Sequence, residues 1–311
     1  MDLTGLLDAT PILMLIALGV VVRRIGLLDL RGGLVLTRLA YHVTIPAAIF
    51  VSIARADFEL SLLWMPFLGL SIPIVLAMLM YLTTRRLAHR PRQRGPMLVG
   101  MVVLGVFAFP FMELFFGADG LARIALYDVG NAFFAGIVAI SLARHFGERS
   151  RTGGNGGRGS AIAWRRVLGS PILLAAVAGV VFTVARLPLE GPLASFFDRL
   201  ALANTPLAMI AVGVFLIPQR AYGPLVAQFV LIRMVLGGLL GWALSLLLGL
   251  DGLSLIAGTV GSSLPAGTTV LVFSGNEGLD TELAASLVSI TILVGAVVVS
   301  VLPHILAAIY L

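Results

Sequence analysis

The sequence predicts an all-α polytopic membrane protein. Ten transmembrane helices would form two inverted five-helix repeats, whose discontinuous fourth and ninth helices cross at the midplane. Three observations lead to this prediction: the composition suits lipid, ten apolar spans alternate with short polar connections, and the two halves share local sequence at a nearly constant offset.

The composition excludes most soluble classes. Of the 311 residues, 59% are hydrophobic and 12% are charged, whereas a soluble domain is about a quarter charged. The chain has no Lys and no Cys, which excludes Schiff-base and P-loop lysines, disulfides and thiolate metal sites. The net charge of +6 does not indicate a nucleic-acid partner, because the arginines lie in connections between apolar runs and form no aromatic-interleaved patch.

Apolar runs bounded by Gly, Pro and charged residues give the ten spans. Each is close to the roughly 20 residues that cross a bilayer. Most arginines fall in the odd-numbered connections, which the positive-inside rule places in the cytoplasm, so both termini are expected outside. The predicted spans are 9–25, 33–54, 61–84, 96–117, 121–144, 167–187, 193–218, 222–249, 252–275 and 282–310.

One low-complexity segment separates the two halves. Residues Gly147 to Ser160 are rich in Gly and Arg, a composition that buries no core and favours a flexible tether. Contact with anionic lipid is the alternative role.

The halves on either side of this segment resemble each other. Pro11-Ile-Leu recurs as Pro171-Ile-Leu, and Pro46 recurs as Pro206, both 160 positions later. Residues 115–120 (FFGADG) recur as 273–278 (FSGNEG) at nearly the same offset. Ordered matches of this kind indicate duplication. Because each half holds an odd number of spans, the second must be inverted, an architecture of carriers whose sites lie between the repeats.

Pro110 and Pro265 stand within the fourth and ninth spans, at what the pattern takes as corresponding positions. A proline removes one helix hydrogen bond and clashes with the preceding turn, and polar backbone freed in a membrane faces a cavity or a protein partner. The amides of the half-helix after each proline would form an anion site. The alternative is a pair of simple proline kinks.

Small and hydroxyl residues surround the second proline, namely Ser262, Ser263, Gly267, Thr268 and Thr269. Their hydroxyl groups suit a substrate carboxylate, but they equally suit the repair of an opened backbone, and the sequence leaves both roles open.

The fifth span carries Asp128 and Asn131 on one helix face. A polar residue at the centre of a membrane helix costs about 2.5–3.5 kcal/mol on insertion scales, so both are candidates for function. Asn131 offers two donors to a carboxylate, and Asp128 can carry a proton. The alternative for Asp128 is a solvated position near the helix end.

Two further charged residues are candidates for coupling. Glu113 follows Pro110 by one turn and could carry a proton, snorkel, or pair with Arg123. Arg233 lies deep in the eighth span. It could balance the charge of a substrate, or form a structural ion pair with Asp128 or Glu113, which is the interpretation that we favour. No metal-ligand spacing and no catalytic triad pattern indicate an enzyme or a cofactor.

Three segments resemble signatures of the auxin efflux carrier (AEC) family, which includes plant PIN proteins and bacterial dicarboxylate permeases. They are the second-helix segment 39–50 (LAYHVTIPAAIF), the seventh-helix segment 203–213 (ANTPLAMIAVG) and the ninth-helix segment 264–273 (LPAGTTVLVF). The resemblance extends over essentially the whole chain. Thr44 stands where the family often has Asn, so a polar role there is open.

The resemblance implies a fold shared with bile-acid sodium symporters. It carries the crossover prolines to Pro110 and Pro265, and the substrate-binding Asn of the fifth helix to Asn131. It also implies scaffold helices and a moving transport domain. The corresponding segments are 1–60 (scaffold helices 1–2), 61–146 (transport helices 3–5), 147–166 (cytoplasmic linker), 167–220 (scaffold helices 6–7) and 221–311 (transport helices 8–10).

The expected function is secondary transport of a small organic anion, a mono- or dicarboxylate, by elevator-type alternating access in a bacterial inner membrane. Proton coupling and uniport are both open. The alternatives are a sodium-coupled symporter of the bile-acid type, a cation/proton antiporter on the same fold, and a membrane sensor or channel. A homodimer through the scaffold helices would suit this organisation.

Overall fold

The protein is all-helical in the residues that the computed structural model describes, which are 9–55, 60–87, 91–152, 169–216 and 222–311. Among these residues, six helices are long and apolar enough to cross a membrane, namely α2, α3, α5, α7, α8 and α11, and α6 and α9 are shorter apolar helices. The described helices are α1 (Thr10–Arg24), α2 (Leu30–Arg55), α3 (Trp64–Leu87), α4 (Pro91–Val99), α5 (Gly105–Ser150), α6 (Pro171–Val184), α7 (Gly191–Val214), α8 (Gly223–Leu247), α9 (Gly252–Ser262), α10 (Thr269–Glu277) and α11 (Thr281–Tyr310).

Helix starts follow local chemistry. Pro11 and Pro171 stand in the first turns of α1 and α6, where proline's missing N–H has no helical partner to lose. The Asp29 carboxylate accepts the Gly32 amide at 2.7 Å and caps α2, and Asp280 caps α11 by accepting the Leu283 amide at 2.9 Å. The repeated Pro-Ile-Leu motif is therefore a helix-start signal in both halves.

The central segment differs from the prediction at its beginning. Helical structure continues from α5 through Gly147 and beyond Ser150 to Thr152, so the first residues of the predicted tether are helical. Residues 153–166 lie outside the described part of the chain.

Three long helices contain a turn of π-helix, at Ala40–Thr44 in α2, Phe134–Ala139 in α5 and Leu231–Leu236 in α8. Such turns occur frequently at functional sites. The first ends at Thr44, and the third contains Arg233.

Close glycine packing joins α1 to α7 and α2 to α6. A Cβ on Gly19 would overlap the Ile210 carbonyl and Gly213, and a Cβ on Gly179 would lie 2.8 Å from Ile53 Cβ. Gly19 and Gly179 are 160 positions apart, the offset of the repeated motifs. These two contacts therefore join α1 to α7 and α6 to α2 through glycines at that offset.

Buried polar groups link α2 to α7 at the same offset. The Thr44 hydroxyl donates to Asn204 Oδ1 at 3.2 Å, and both side chains are buried. Thr44 therefore has a structural partner, although it replaces the Asn that the resemblance led us to expect.

Two interruptions divide helical segments of the chain. Residues 100–104 separate α4 from α5, and residues 263–268 separate α9 from α10. Shortly afterwards the chain turns at Gly117 within α5 (φ 61°) and at Gly278 after α10 (φ 67°), where glycine adopts positive φ without steric penalty. After each interruption the chain thus makes a sharp turn at a glycine. The first turn leads into the remainder of α5, and the second leads into α11.

Candidate functional site

The two interruptions meet each other directly. Val103 and Ala266 form an isolated antiparallel bridge. The Leu104 amide donates to the Pro265 carbonyl at 2.9 Å, and the Gly267 amide donates to the Val102 carbonyl at 2.8 Å. Backbone groups that each helix leaves unpaired are therefore satisfied by the other interruption, as buried polar backbone requires. This crossing, defined here as residues 100–104 and 263–268, is the crossover.

Side chains of the following long helices complete the crossover. The Val103 amide donates to Asn131 Oδ1 at 2.8 Å, and Asn131 Nδ2 donates to the Val103 carbonyl at 3.1 Å. On the other side, the Ala266 amide donates to the Thr291 hydroxyl at 3.1 Å. Asn131 and Thr291 are again 160 positions apart. In this conformation, Asn131 holds the backbone of the first interruption.

The prediction that Pro110 marks the first interruption is wrong. Pro110 is buried inside α5, and the interruption precedes Gly105. Pro110 is the sixth residue of α5, so it costs the hydrogen bond that an amide at this position would donate to the Val106 carbonyl, but the helix continues through it. The bridge pairs Val103 with Ala266, so the position that corresponds to Pro265 lies near residue 103. Pro265, in contrast, lies within the interruption as predicted.

Asp128, in the middle of α5, packs against Gly105, the residue that follows the first interruption. Its side chain is 5% exposed, and Oδ1 accepts a hydrogen bond from Asn131 Nδ2 at 2.8 Å. A Cβ on Gly105 would overlap this carboxylate, so the carboxylate fits here because residue 105 has no side chain. Asp128 is therefore buried, and the solvated position considered from the sequence is wrong.

The hydroxyl groups beside the second interruption bond to nearby backbone. Ser262 Oγ donates to the Gly258 carbonyl at 2.7 Å, and Ser263 Oγ donates to the Val260 carbonyl at 2.8 Å. Tyr127, next to Asp128, places its hydroxyl 3.2 Å from Ser262 Oγ. Thr268 is the N-cap residue of α10, but its side chain makes no cap hydrogen bond. The sequence left open whether these hydroxyl groups bind a substrate or pair with opened backbone. In this structure both serines pair with backbone carbonyls.

Arg233 does not form the ion pair that we favoured. The residue is fully buried, and Nη1 donates to the Ser262 carbonyl at 3.1 Å. No ion pair joins it to Asp128 or Glu113, and its Nε and Nη2 atoms have no hydrogen-bond partner among the described residues. The guanidinium thus sits at the C-terminal end of α9, where helix carbonyls favour a cation.

Glu113 lies apart from the crossover contacts. Its side chain is half-buried in α5. Arg123, its predicted partner, instead donates to Ser254 Oγ at 3.1 Å and lies 4.0 Å from the Asp119 carboxylate. Asp128 is therefore the acidic residue that the fold brings to the crossover.

Sequence reasoning missed several residues of this arrangement. Val103 and Gly105 show no polar signal, and Tyr127 was passed over beside Asp128. Thr291 could have been found, because it lies one repeat offset from Asn131.

Apolar helices of membrane-crossing length, joined through a buried polar crossover, define a multi-pass membrane protein. Residues 158–303 match the family model described as "Membrane transport protein". The chain is also 26% identical over 284 residues to an uncharacterized transporter of Methanothermobacter thermautotrophicus, over 88% of this chain and 89% of that protein. Both matches are to membrane transport proteins, in agreement with the resemblance in the motifs.

Proposed function

We propose that the protein is a secondary transporter of small organic anions, mono- or dicarboxylates, that works by alternating access. The observation that carries this proposal is the crossover itself. Two interrupted helices meet through backbone hydrogen bonds, beside a buried carboxylate and a buried guanidinium. Interrupted helices of this kind form binding sites for substrates and coupling ions in carriers.

Ten transmembrane helices in two inverted repeats would account for the shared offset in the contacts. On this proposal, α4 and α5 as far as Gly117 form the fourth membrane helix, and α9 and α10 form the ninth. The glycine contacts at Gly19 and Gly179, and the backbone bonds to Asn131 and Thr291, support the equivalence of the halves.

The proposed division into scaffold and transport domain follows the same packing. Helices α1, α2, α6 and α7 would form the scaffold, in which Gly19 packs α1 against α7 and Gly179 packs α6 against α2. The remaining helices surround the crossover and would move together as an elevator. We place the protein in a bacterial inner membrane with both termini outside, and a dimer would form through the scaffold.

Asp128 is the proposed proton-carrying residue. It is buried, its one hydrogen bond comes from Asn131, and no cation pairs with it among the described residues. A buried carboxylate without a cation is stable when it can take up a proton. Sodium symport or cation/proton exchange is the second candidate, because the same unpaired carboxylate could bind a cation.

Counterflow in proteoliposomes tests the proposal. Vesicles loaded with unlabelled malonate, malate or indole-3-acetate should accumulate the labelled acid transiently and with saturation, since a carrier must bind its substrate in order to reorient. Non-saturating flux would indicate a channel. No flux of any of the three acids, under proton or sodium gradients, would refute organic-anion transport.

A further inference from the structure

Arg233 has an unused hydrogen-bonding edge. The side chain is 0% exposed, and one of its three nitrogens, Nη1, donates to the Ser262 carbonyl at 3.1 Å. The other two, Nε and Nη2, have no partner among the described residues. Buried arginine donors are normally satisfied, so these two atoms require an explanation.

The two unused atoms form one edge of the guanidinium. The N–H groups of Nε and Nη2 point in the same direction and are spaced to meet both oxygens of a carboxylate at once, which gives the strong bidentate pair of arginine and carboxylate. Because Nη1 is fixed by the Ser262 carbonyl, this edge is oriented by the fold. The arrangement therefore suits a planar carboxylate better than a spherical anion.

The charge of Arg233 also lacks an anionic partner. None of the ion pairs among the described residues includes Arg233. Beside it lie the C-terminal carbonyl of Ser262 and the backbone of Gly237 in α8, where an added Cβ would lie 3.5 Å from Arg233 Nη1. A helix carbonyl offsets part of the cost of a buried cation, but a full opposite charge is needed to balance it.

The position of Arg233 relates it to the crossover. Ser262, which accepts from Nη1, is the last residue of α9 before the interruption. Its hydroxyl contacts Tyr127, the neighbour of Asp128. Arg233 also lies in the π-helical turn of α8, a local distortion that is frequent at functional sites.

We propose that Arg233 binds the carboxylate of the transported anion through Nε and Nη2. The inference rests on the proposed transport function, and it assigns recognition of the substrate's carboxylate to the positive charge of Arg233. Because Arg233 is 0% exposed, an anion reaches it only when the packing around the guanidinium opens. Arg233 is thereby a substrate-binding residue, and its bond to Ser262 positions the free edge.

The test compares Arg233→Gln and Arg233→Lys with Arg199→Gln, a control at an exposed arginine of α7. Malonate is the probe, measured by ligand-induced thermal shift on purified protein and by counterflow in proteoliposomes. Arg233→Lys keeps the charge but loses the planar edge. It should raise the KM for malonate at least tenfold while kcat changes less than threefold. Arg233→Gln should abolish malonate binding, and Arg199→Gln should behave as wild type.

The outcomes separate this inference from the transport function. Malonate binding that depends on Arg233 without any counterflow upholds the inference and refutes the carrier. Counterflow whose KM is unchanged in Arg233→Lys and Arg233→Gln upholds the carrier and overturns the inference, as does a loss of kcat or thermal stability alone. If Arg233→Gln does not fold, the KM of Arg233→Lys decides. Wild-type protein that binds none of malonate, malate and indole-3-acetate overturns both.

Discussion

The two interruptions of the crossover pair with each other through reciprocal backbone hydrogen bonds but have different side chains around them. At the first, Asn131 satisfies both the amide and the carbonyl of Val103. At the second, Thr291 satisfies the amide of Ala266 alone. The first interruption adjoins the buried Asp128, whereas the second adjoins Arg233.

This difference shows that backbone pairing and charge are separable features of the crossover. Reciprocal hydrogen bonds hold the two segments together whichever side chains surround them. The carboxylate and the guanidinium then give the two sides opposite charge, so one side suits a proton or cation and the other an anion. Substitutions of Asn131 at the first interruption and of Thr291 at the second should therefore have unequal effects.

The largest effect on stability is expected from Asn131→Ala. It leaves two buried backbone groups of Val103 unpaired, and each unsatisfied group costs about 1–3 kcal/mol. Thr291→Val leaves one such group and should cost about half as much. Melting temperatures in detergent would measure both, with Ser300→Ala as the control, since that hydroxyl donates only to the Ala296 carbonyl of its own helix. Equal losses for Asn131→Ala and Thr291→Val would contradict the unequal roles of the two side chains.

A smaller loss is expected from Gly105→Ala. The added methyl group would overlap the Asp128 carboxylate and would push it away from Asn131, at about 1–3 kcal/mol for overpacking. Gly275→Ala in α10 is the matched control, because its methyl group meets no atom within 4 Å and alanine favours a helix by up to about 1 kcal/mol. Thermal unfolding of both variants checks the prediction. Unchanged stability and transport in Gly105→Ala would argue against a tightly fitted carboxylate.

Asp128→Asn should alter coupling more than stability. The substituted amide keeps an oxygen that can accept from Asn131 Nδ2, but it cannot take up a proton. We expect malonate counterflow to persist while accumulation driven by a proton gradient is lost. Parallel assays with and without an imposed pH gradient would measure this. Proton-driven accumulation that survives in Asp128→Asn would assign coupling to another group.

The smallest effect is expected at the exposed pair of Arg55 and Asp198, which joins α2 to α7 at 2.8 Å, away from the crossover. Exposed ion pairs contribute about 0–1 kcal/mol. Arg55→Gln should therefore shift the melting temperature slightly and leave the KM for malonate unchanged. A change in KM would mean that this pair takes part in the transport cycle.

Helix positions were largely predictable from the sequence, because apolar length and flanking charge determine them. Pro265 correctly marked an interruption, since its surroundings contain small and polar residues. Pro110 did not, because the helix continues through it and the interruption lies before Gly105 instead. The first interruption depends on Asn131, 28 residues beyond Val103, and such a distant hydrogen bond leaves no local pattern. The unpaired state of Arg233 was likewise invisible, because it depends on which acids the fold brings near.

Alternating access at the crossover is the central claim, and the chain's lack of cysteine allows a direct test. A single Thr268→Cys would place one thiol in the second interruption, where the native side chain is 9% exposed. Membrane-impermeant maleimide would then be applied to right-side-out and to inside-out vesicles. The account predicts labelling from both sides, reduced in each by saturating malonate. Labelling from one side alone, unaffected by malonate, would contradict it.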